Sequence, residues 1–207
     1  MSIVIAIPCM DTVKTGFMAS LVNMDKPEGT LLFIQENTLI YDARNIISSV
    51  AITQGFDRVL WLDSDMRFDP DLMERLNADM DQGRDFVSGL YCTRKPPCVP
   101  CVYSAIRYGE TEDGFVSERD PITEIPKGVF EIAGAGFGGV MTSVKLLKAV
   151  WEKYGQPFAP LYRLGEDLSF CYRASQLGFK LWCDPDIKLG HIGNYVFTVE
   201  TKDKTAE

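Results

Sequence analysis

The run Val59-Leu60-Trp61-Leu62 is apolar at every position and ends abruptly in Asp63-Ser64-Asp65. A strand with one face in water alternates polar and apolar residues, whereas a strand covered on both faces reads as an unbroken apolar run. The chain therefore has to build layers on both sides of a sheet, with Asp63 and Asp65 leaving that sheet at a carboxyl-terminal strand end. In open parallel sheets such ends are where ligands bind. Two carboxylates one residue apart repel each other, and a hard divalent cation relieves the repulsion. Asp is also common wherever a chain turns, so the pair alone is equally compatible with an ordinary turn.

The surrounding pattern supplies the layers. Short apolar runs alternate with amphipathic stretches, which predicts strand, helix, strand, helix and a mainly parallel sheet. Strands are expected at Ser2 to Ile7, Thr30 to Ile34, Arg58 to Leu62 and Phe86 to Tyr91, and helices at Thr12 to Asn23, Tyr41 to Gln54 and Asp71 to Met80. Gly55 is placed to end the second helix, and Asp69-Pro70 reads as an N-cap followed by proline at the first helical position. From Cys92 to Lys127 no helical period is visible, and loops with antiparallel strands are expected. Glycine then becomes dense: Gly134-Ala135-Gly136-Phe137-Gly138-Gly139 lets the backbone turn sharply or pass close to a ligand. Its spacing is not that of a dinucleotide fingerprint. A helix is expected from Ser143 to Tyr154 and another from Leu168 to Leu177, then a strand from Lys180 to Asp184. The 207 residues fit one domain over 1–197, with an alternating strand-helix half at 1–91, a second half at 92–197 and a polar tail at 198–207.

Composition removes several function classes. A net charge of −8 disfavours binding to a polynucleotide backbone, which relies on clustered Lys and Arg. No run of about 18–20 apolar residues is present, and the first residues lack the basic start of a signal peptide, so a cytoplasmic location is expected. The six cysteines do not suggest a disulfide framework. Cys98 and Cys101 form a CxxC to which Cys92 could add a third ligand, but a structural zinc site normally needs a second pair of similar quality.

A second group of polar residues lies late in the chain. Glu166 and Asp167 follow Gly165 at a helix start, where the macrodipole favours carboxylates, so they serve either as helix-end charges or as proton acceptors facing a cleft. His191 is the single histidine. A lone histidine usually packs or sits on the surface, yet imidazole can complete a metal site begun by carboxylates.

In this order the pieces resemble the GT-A glycosyltransferases, especially the inverting family 2-like enzymes. The matching segments are Ile5 to Cys9, Ala43-Arg44-Asn45, Leu62 to Asp65, Gly134 to Gly139, Gly165-Glu166-Asp167 and His191, spanning Ser2 to Gly193. The resemblance implies an α/β fold of GT-A type, with a nucleoside-diphosphate sugar, UDP by default, over the carboxyl edge of the sheet. Pro8 and Cys9 would border the base, Arg44 would approach the nucleotide or diphosphate, and Ser64 and Gly136 would also contact the donor. Asp63 would face the ribose or the metal's water shell. Asp65 and His191 would hold Mn²⁺ or Mg²⁺. Asp167 would be the general base, and Glu166 would help bind acceptor or donor. The acceptor is not implied. Two alternatives stand beside this reading: a haloacid-dehalogenase-type phosphatase or phosphotransferase using Asp63 and Asp65, and a catalytically silent sugar-nucleotide-binding module.

Overall fold

The computed structural model describes residues 1–112, 114–193 and 196–199, and the expected polar tail lies outside the described residues from 200 onward. The first half lays down β1 (Ile3–Pro8), α1 (Thr15–Asn23), β2 (Leu31–Gln35), α2 (Ile40–Thr53), β3 (Arg58–Leu62), a short β4 (Met66–Arg67), α3 (Leu72–Met80) and β5 (Phe86–Leu90). The second half adds β6 (Val102–Thr111), β7 (Gly114–Pro121), β8 (Phe130–Ile132), β9 (Gly134–Ala135) and β10 (Gly139–Ser143). It continues with α4 (Val144–Tyr154), α5 (Glu166–Gln176), β11 (Leu181–Lys188), β12 (Gly190–Ile192) and β13 (Val196–Phe197).

Seven strands form the central sheet in the order β2-β1-β3-β10-β5-β11-β8. β1 is parallel to β2 and β3, and β5 is parallel to β11. β10 runs against both β3 and β5, and β8 runs against β11. The result is a mixed, mainly parallel α/β sheet flanked by helices, in which β10 from the second half separates two strands of the first.

The unbroken apolar run of β3 has the expected cause. Val59 and Trp61 point into a core on one face, and Leu60 and Leu62 into a core on the other, all fully buried. Alternate residues of a strand face opposite sides, so both layers draw on the same four side chains. Burying each contributes about 1.5–3 kcal/mol. Two small antiparallel sheets, β13-β12-β4 and β7-β6-β9, sit beside the main one. Among the described residues no helix is long and apolar enough to cross a membrane.

Three local expectations need correction. Helix α1 begins at Thr15 rather than Thr12, because Lys14 is extended and its N–H donates to the Ser64 carbonyl (3.0 Å). Helix α3 begins at Leu72 with no side-chain cap, so Asp69 acts through its carbonyl, which accepts from Leu72 N–H at 3.2 Å, and Pro70 lies in the turn. Cys92 and Cys98 are joined in a disulfide. The chain doubles back after β5, with Cys92 bridged to Pro100 in antiparallel fashion, and this return brings the two thiols together. Neither cysteine is then open to zinc, and Cys101 stays a thiol.

Candidate functional site

The carboxyl ends of β1 and β3 open into a cleft of about 590 Å³. Its walls include Pro8 and Cys9 from the end of β1, Arg44 from α2, and Asp63, Ser64 and Asp65 from the turn after β3. Glu166, Asp167 and His191 complete it. Of the residues given a catalytic, donor-binding or metal-holding role by the resemblance, Gly136 alone is absent from that lining. It lies behind Tyr91, against whose hydroxyl a Cβ at position 136 would collide. Gly138 and Gly139 likewise leave room for Met66 and Leu189, so these glycines serve close packing within the protein.

One end of the cleft is locked. Arg44 is only 2% exposed, with Nη2 2.8 Å from Asp63 Oδ1 and Nε 3.5 Å from Glu166 Oε1. Its guanidinium lies over the Phe137 and Phe158 rings, at 5.1 and 5.8 Å from their centroids. Phe158 stacks on Phe170 of α5 and is pinned to α2 through its N–H, which donates to Asn45 Oδ1 at 2.9 Å. Arg44 therefore ties the exit of β3 to the start of α5 from beneath the cleft. Asp63 is turned towards this arginine. Among the described residues, no three His, Cys, Asp or Glu side chains are grouped to hold one.

The other end is assembled by a two-residue strand. β12 pairs with β4 so that His191 lies opposite Met66, and Ile192 N–H donates to the Asp65 carbonyl at 2.8 Å. Position 191 is thereby delivered beside position 65. His191 Nδ1 is 2.9 Å from the Cys92 carbonyl; a carbonyl only accepts, so Nδ1 carries a hydrogen and Nε2 is the ring nitrogen that faces Asp65. Nε2 and Asp65 Oδ2 are 3.6 Å apart. Two donors each about 2.1 Å from one ion sit roughly 3.0–3.5 Å apart, so this pair lies slightly wider than two positions of a divalent site. Arg94 Nη1 also contacts Oδ2, at 2.6 Å. Burial raises the Asp65 pKa, but His191 and Arg94 together outweigh it and hold the carboxyl below its ordinary range.

Asp167 stands at the second position of α5. Burial and the neighbouring Glu166 charge lift its pKa to about 6, against the pull of Leu168 N–H, which donates to Oδ1 at 2.7 Å, and of Arg44. A carboxylate in that range accepts a proton near neutral pH and can lose it again. Between the two ends lies Tyr91, 5% exposed, with its ring edge-on to His191 at 5.5 Å and its hydroxyl accepting from Gly138 N–H at 3.3 Å. Cys101 lines the same wall, its thiol pushed up to about 12 by burial and by Asp167 and Asp63. Sequence reasoning missed Tyr91, Arg94 and Cys101. Arg94 carried one available signal, an arginine between two cysteines six residues apart, which a disulfide would fold into a short loop.

The mixed, mainly parallel sheet flanked by helices is similar to that of a GT-A glycosyltransferase structure. Two solved structures share the fold. The crystal structure of A197 from STIV is 22% identical, with a TM-score of 0.68 over 93% of this chain and 86% of that one. GalNAc-T7, solved with UDP, GalNAc and Mn²⁺, is 14% identical, with a TM-score of 0.57 over 93% of this chain and 44% of its own. The chain thus spans under half of GalNAc-T7, and both likenesses concern the fold. No protein-family model matches the chain, and comparison with curated proteins finds no match.

Proposed function

We propose that the cleft binds a nucleoside-diphosphate sugar, with UDP as the first nucleotide to test, and transfers the sugar to an acceptor hydroxyl with inversion. The observation that carries this reading is one cleft holding both the Asp65–His191 donor pair and, apart from it, the proton-accepting Asp167. Residues 1–91 supply most of the nucleotide side, and 92–197 the acceptor side. Pro8 and Cys9 border the base, Ser64 contacts the donor, and Asp63, held by Arg44, faces the ribose. Arg44 is too buried to grip a phosphate and is a positioning residue for Asp63 and Glu166.

The transfer is a single displacement. Asp167 takes the acceptor hydroxyl proton as that oxygen bonds to the anomeric carbon; the bond to the diphosphate oxygen breaks, and its electron pair leaves with the nucleoside diphosphate. Asp65 and His191 would hold Mn²⁺ or Mg²⁺, which would neutralise charge on the departing diphosphate and contribute several kcal/mol. The phosphatase alternative needs an aspartate of the pair open as a nucleophile at a phosphorus atom, and Asp63 is committed to the buried Arg44.

The test is release of nucleoside diphosphate from a panel of UDP-, GDP- and dTDP-sugars with Mn²⁺ and simple glycoside acceptors. Acceptor-stimulated release that is lost in Asp167→Asn supports the transferase. Release of inorganic phosphate from phosphomonoesters, with none from nucleotide sugars, overturns it.

A further inference from the structure

The acidic cleft raises a question of charge. It carries Asp63, Asp65, Glu166 and Asp167 against two arginines, and Arg44 is already committed beneath the floor. A diphosphate entering such a cleft needs a cation that can reach it. Among the described lining residues Arg94 is the exposed guanidinium, with 52% of its side chain open to solvent. It rides on a loop closed by the Cys92–Cys98 disulfide, and the same loop begins at the Cys92 carbonyl that orients His191. Its contact with Asp65 falls on Oδ2, the oxygen that also faces His191 Nε2.

We propose that Arg94 is a diphosphate-binding residue parked on Asp65, in competition with a divalent ion for the same carboxylate oxygen. This rests on the nucleotide-sugar reading for the ligand's identity, though not for its chemistry. Three features support it. The guanidinium fork matches the spacing of phosphate oxygens and grips them bidentately. The ion pair with Asp65 is half exposed and therefore weak, so it is readily exchanged. The disulfide limits the loop's reach, so a guanidinium displaced from Oδ2 stays beside the place where a diphosphate would meet Asp65 and His191. Arg94 thereby keeps the acidic pair neutralised when the cleft is empty and adds positive charge at the leaving group when it is full.

Binding titrations separate this from a passive surface ion pair, using wild type, Arg94→Ala and Arg94→Lys with Mn²⁺ alone, with inorganic pyrophosphate plus Mn²⁺, and with UDP and UMP plus Mn²⁺. Arg94 is exposed, so the variants fold. Arg94→Ala should bind Mn²⁺ alone about two- to fivefold more tightly, because its competitor is gone. It should bind pyrophosphate and UDP about 10–100-fold more weakly, with UMP changed by less than about threefold. Arg94→Lys should fall between. Unchanged pyrophosphate binding in Arg94→Ala, or equal losses for UDP and UMP, overturns the proposal. If the wild type binds pyrophosphate in an Arg94-dependent way but no nucleotide, the role of Arg94 stands and the nucleotide-sugar reading falls.

Discussion

Asp63 and Asp65 leave the same strand two residues apart, each meets an arginine, and the two ends of the cleft differ in almost everything else. Arg44 is 2% exposed, stacked on two phenylalanines and flanked by two carboxylates, whereas Arg94 is 52% exposed on a surface loop. The first pair is part of the frame and the second is open to exchange. One Asp-x-Asp turn thus divides its labour, one carboxylate fixed to hold the geometry and the other left available to a ligand.

The sharpest way to break this contrast is at Asp167, the proposed proton acceptor. Asp167→Asn should lower turnover by about 10²–10⁴-fold while nucleotide affinity is kept, because an amide cannot take the acceptor proton. In the wild type, turnover should fall on the acid side through pH 6, where Asp167 becomes protonated. Steady-state rates against pH, with direct nucleotide titration, measure both.

Next in size is the locked end. Arg44→Met leaves Asp63 and Glu166 without their shared cation and should cost about 3–5 kcal/mol in a denaturant melt. Lys at 44 should not restore it, since a single ammonium cannot stack on Phe137 and reach both carboxylates. The matching Arg94→Ala substitution should cost less than about 1 kcal/mol, which measures the contrast directly. Gly136→Ala should cost about 1–3 kcal/mol by driving a methyl group into the Tyr91 hydroxyl, with a wider effect on His191, which packs on that ring.

The remaining effect is a gain. Asp167 has a raised pKa when folded, so between about pH 4 and 6 the native state holds a proton that the unfolded chain releases. Its unfavourable contribution is therefore absent below pH 4 and complete above pH 6. Asp167→Asn should stabilise the protein by about 1–2 kcal/mol at pH 7.5, after allowance for partial solvent screening, and by nothing at pH 3.5. Thermal melts at the two pH values check the sign.

The layered sheet was legible because its signals are periodic: the apolar run at Val59–Leu62 and the flanking amphipathic stretches each report burial on a stated face. The chemistry-bearing side chains were legible as types in order, and Pro8, Cys9, Arg44, Asp63, Ser64, Asp65, Glu166, Asp167 and His191 all line one cleft. Partners were not legible. Whether Arg44 faced the ligand or the floor depended on Phe137 and Phe158, far apart in sequence. The meeting of Asp65 with His191 depended on β4, two residues long and too short for any period to reveal. The Arg94 contact depended on the return of the chain after β5, which a disulfide closes.

The most direct test of the open end as a nucleotide-diphosphate site is the thermal midpoint of wild type and Asp65→Ala with UDP, with and without Mn²⁺. A ligand that binds only the native state raises that midpoint. UDP should raise it in the wild type when Mn²⁺ is present, far less without the ion, and not in Asp65→Ala. An equal rise in Asp65→Ala, or no rise in the wild type with UDP and Mn²⁺ together, would contradict the assignment.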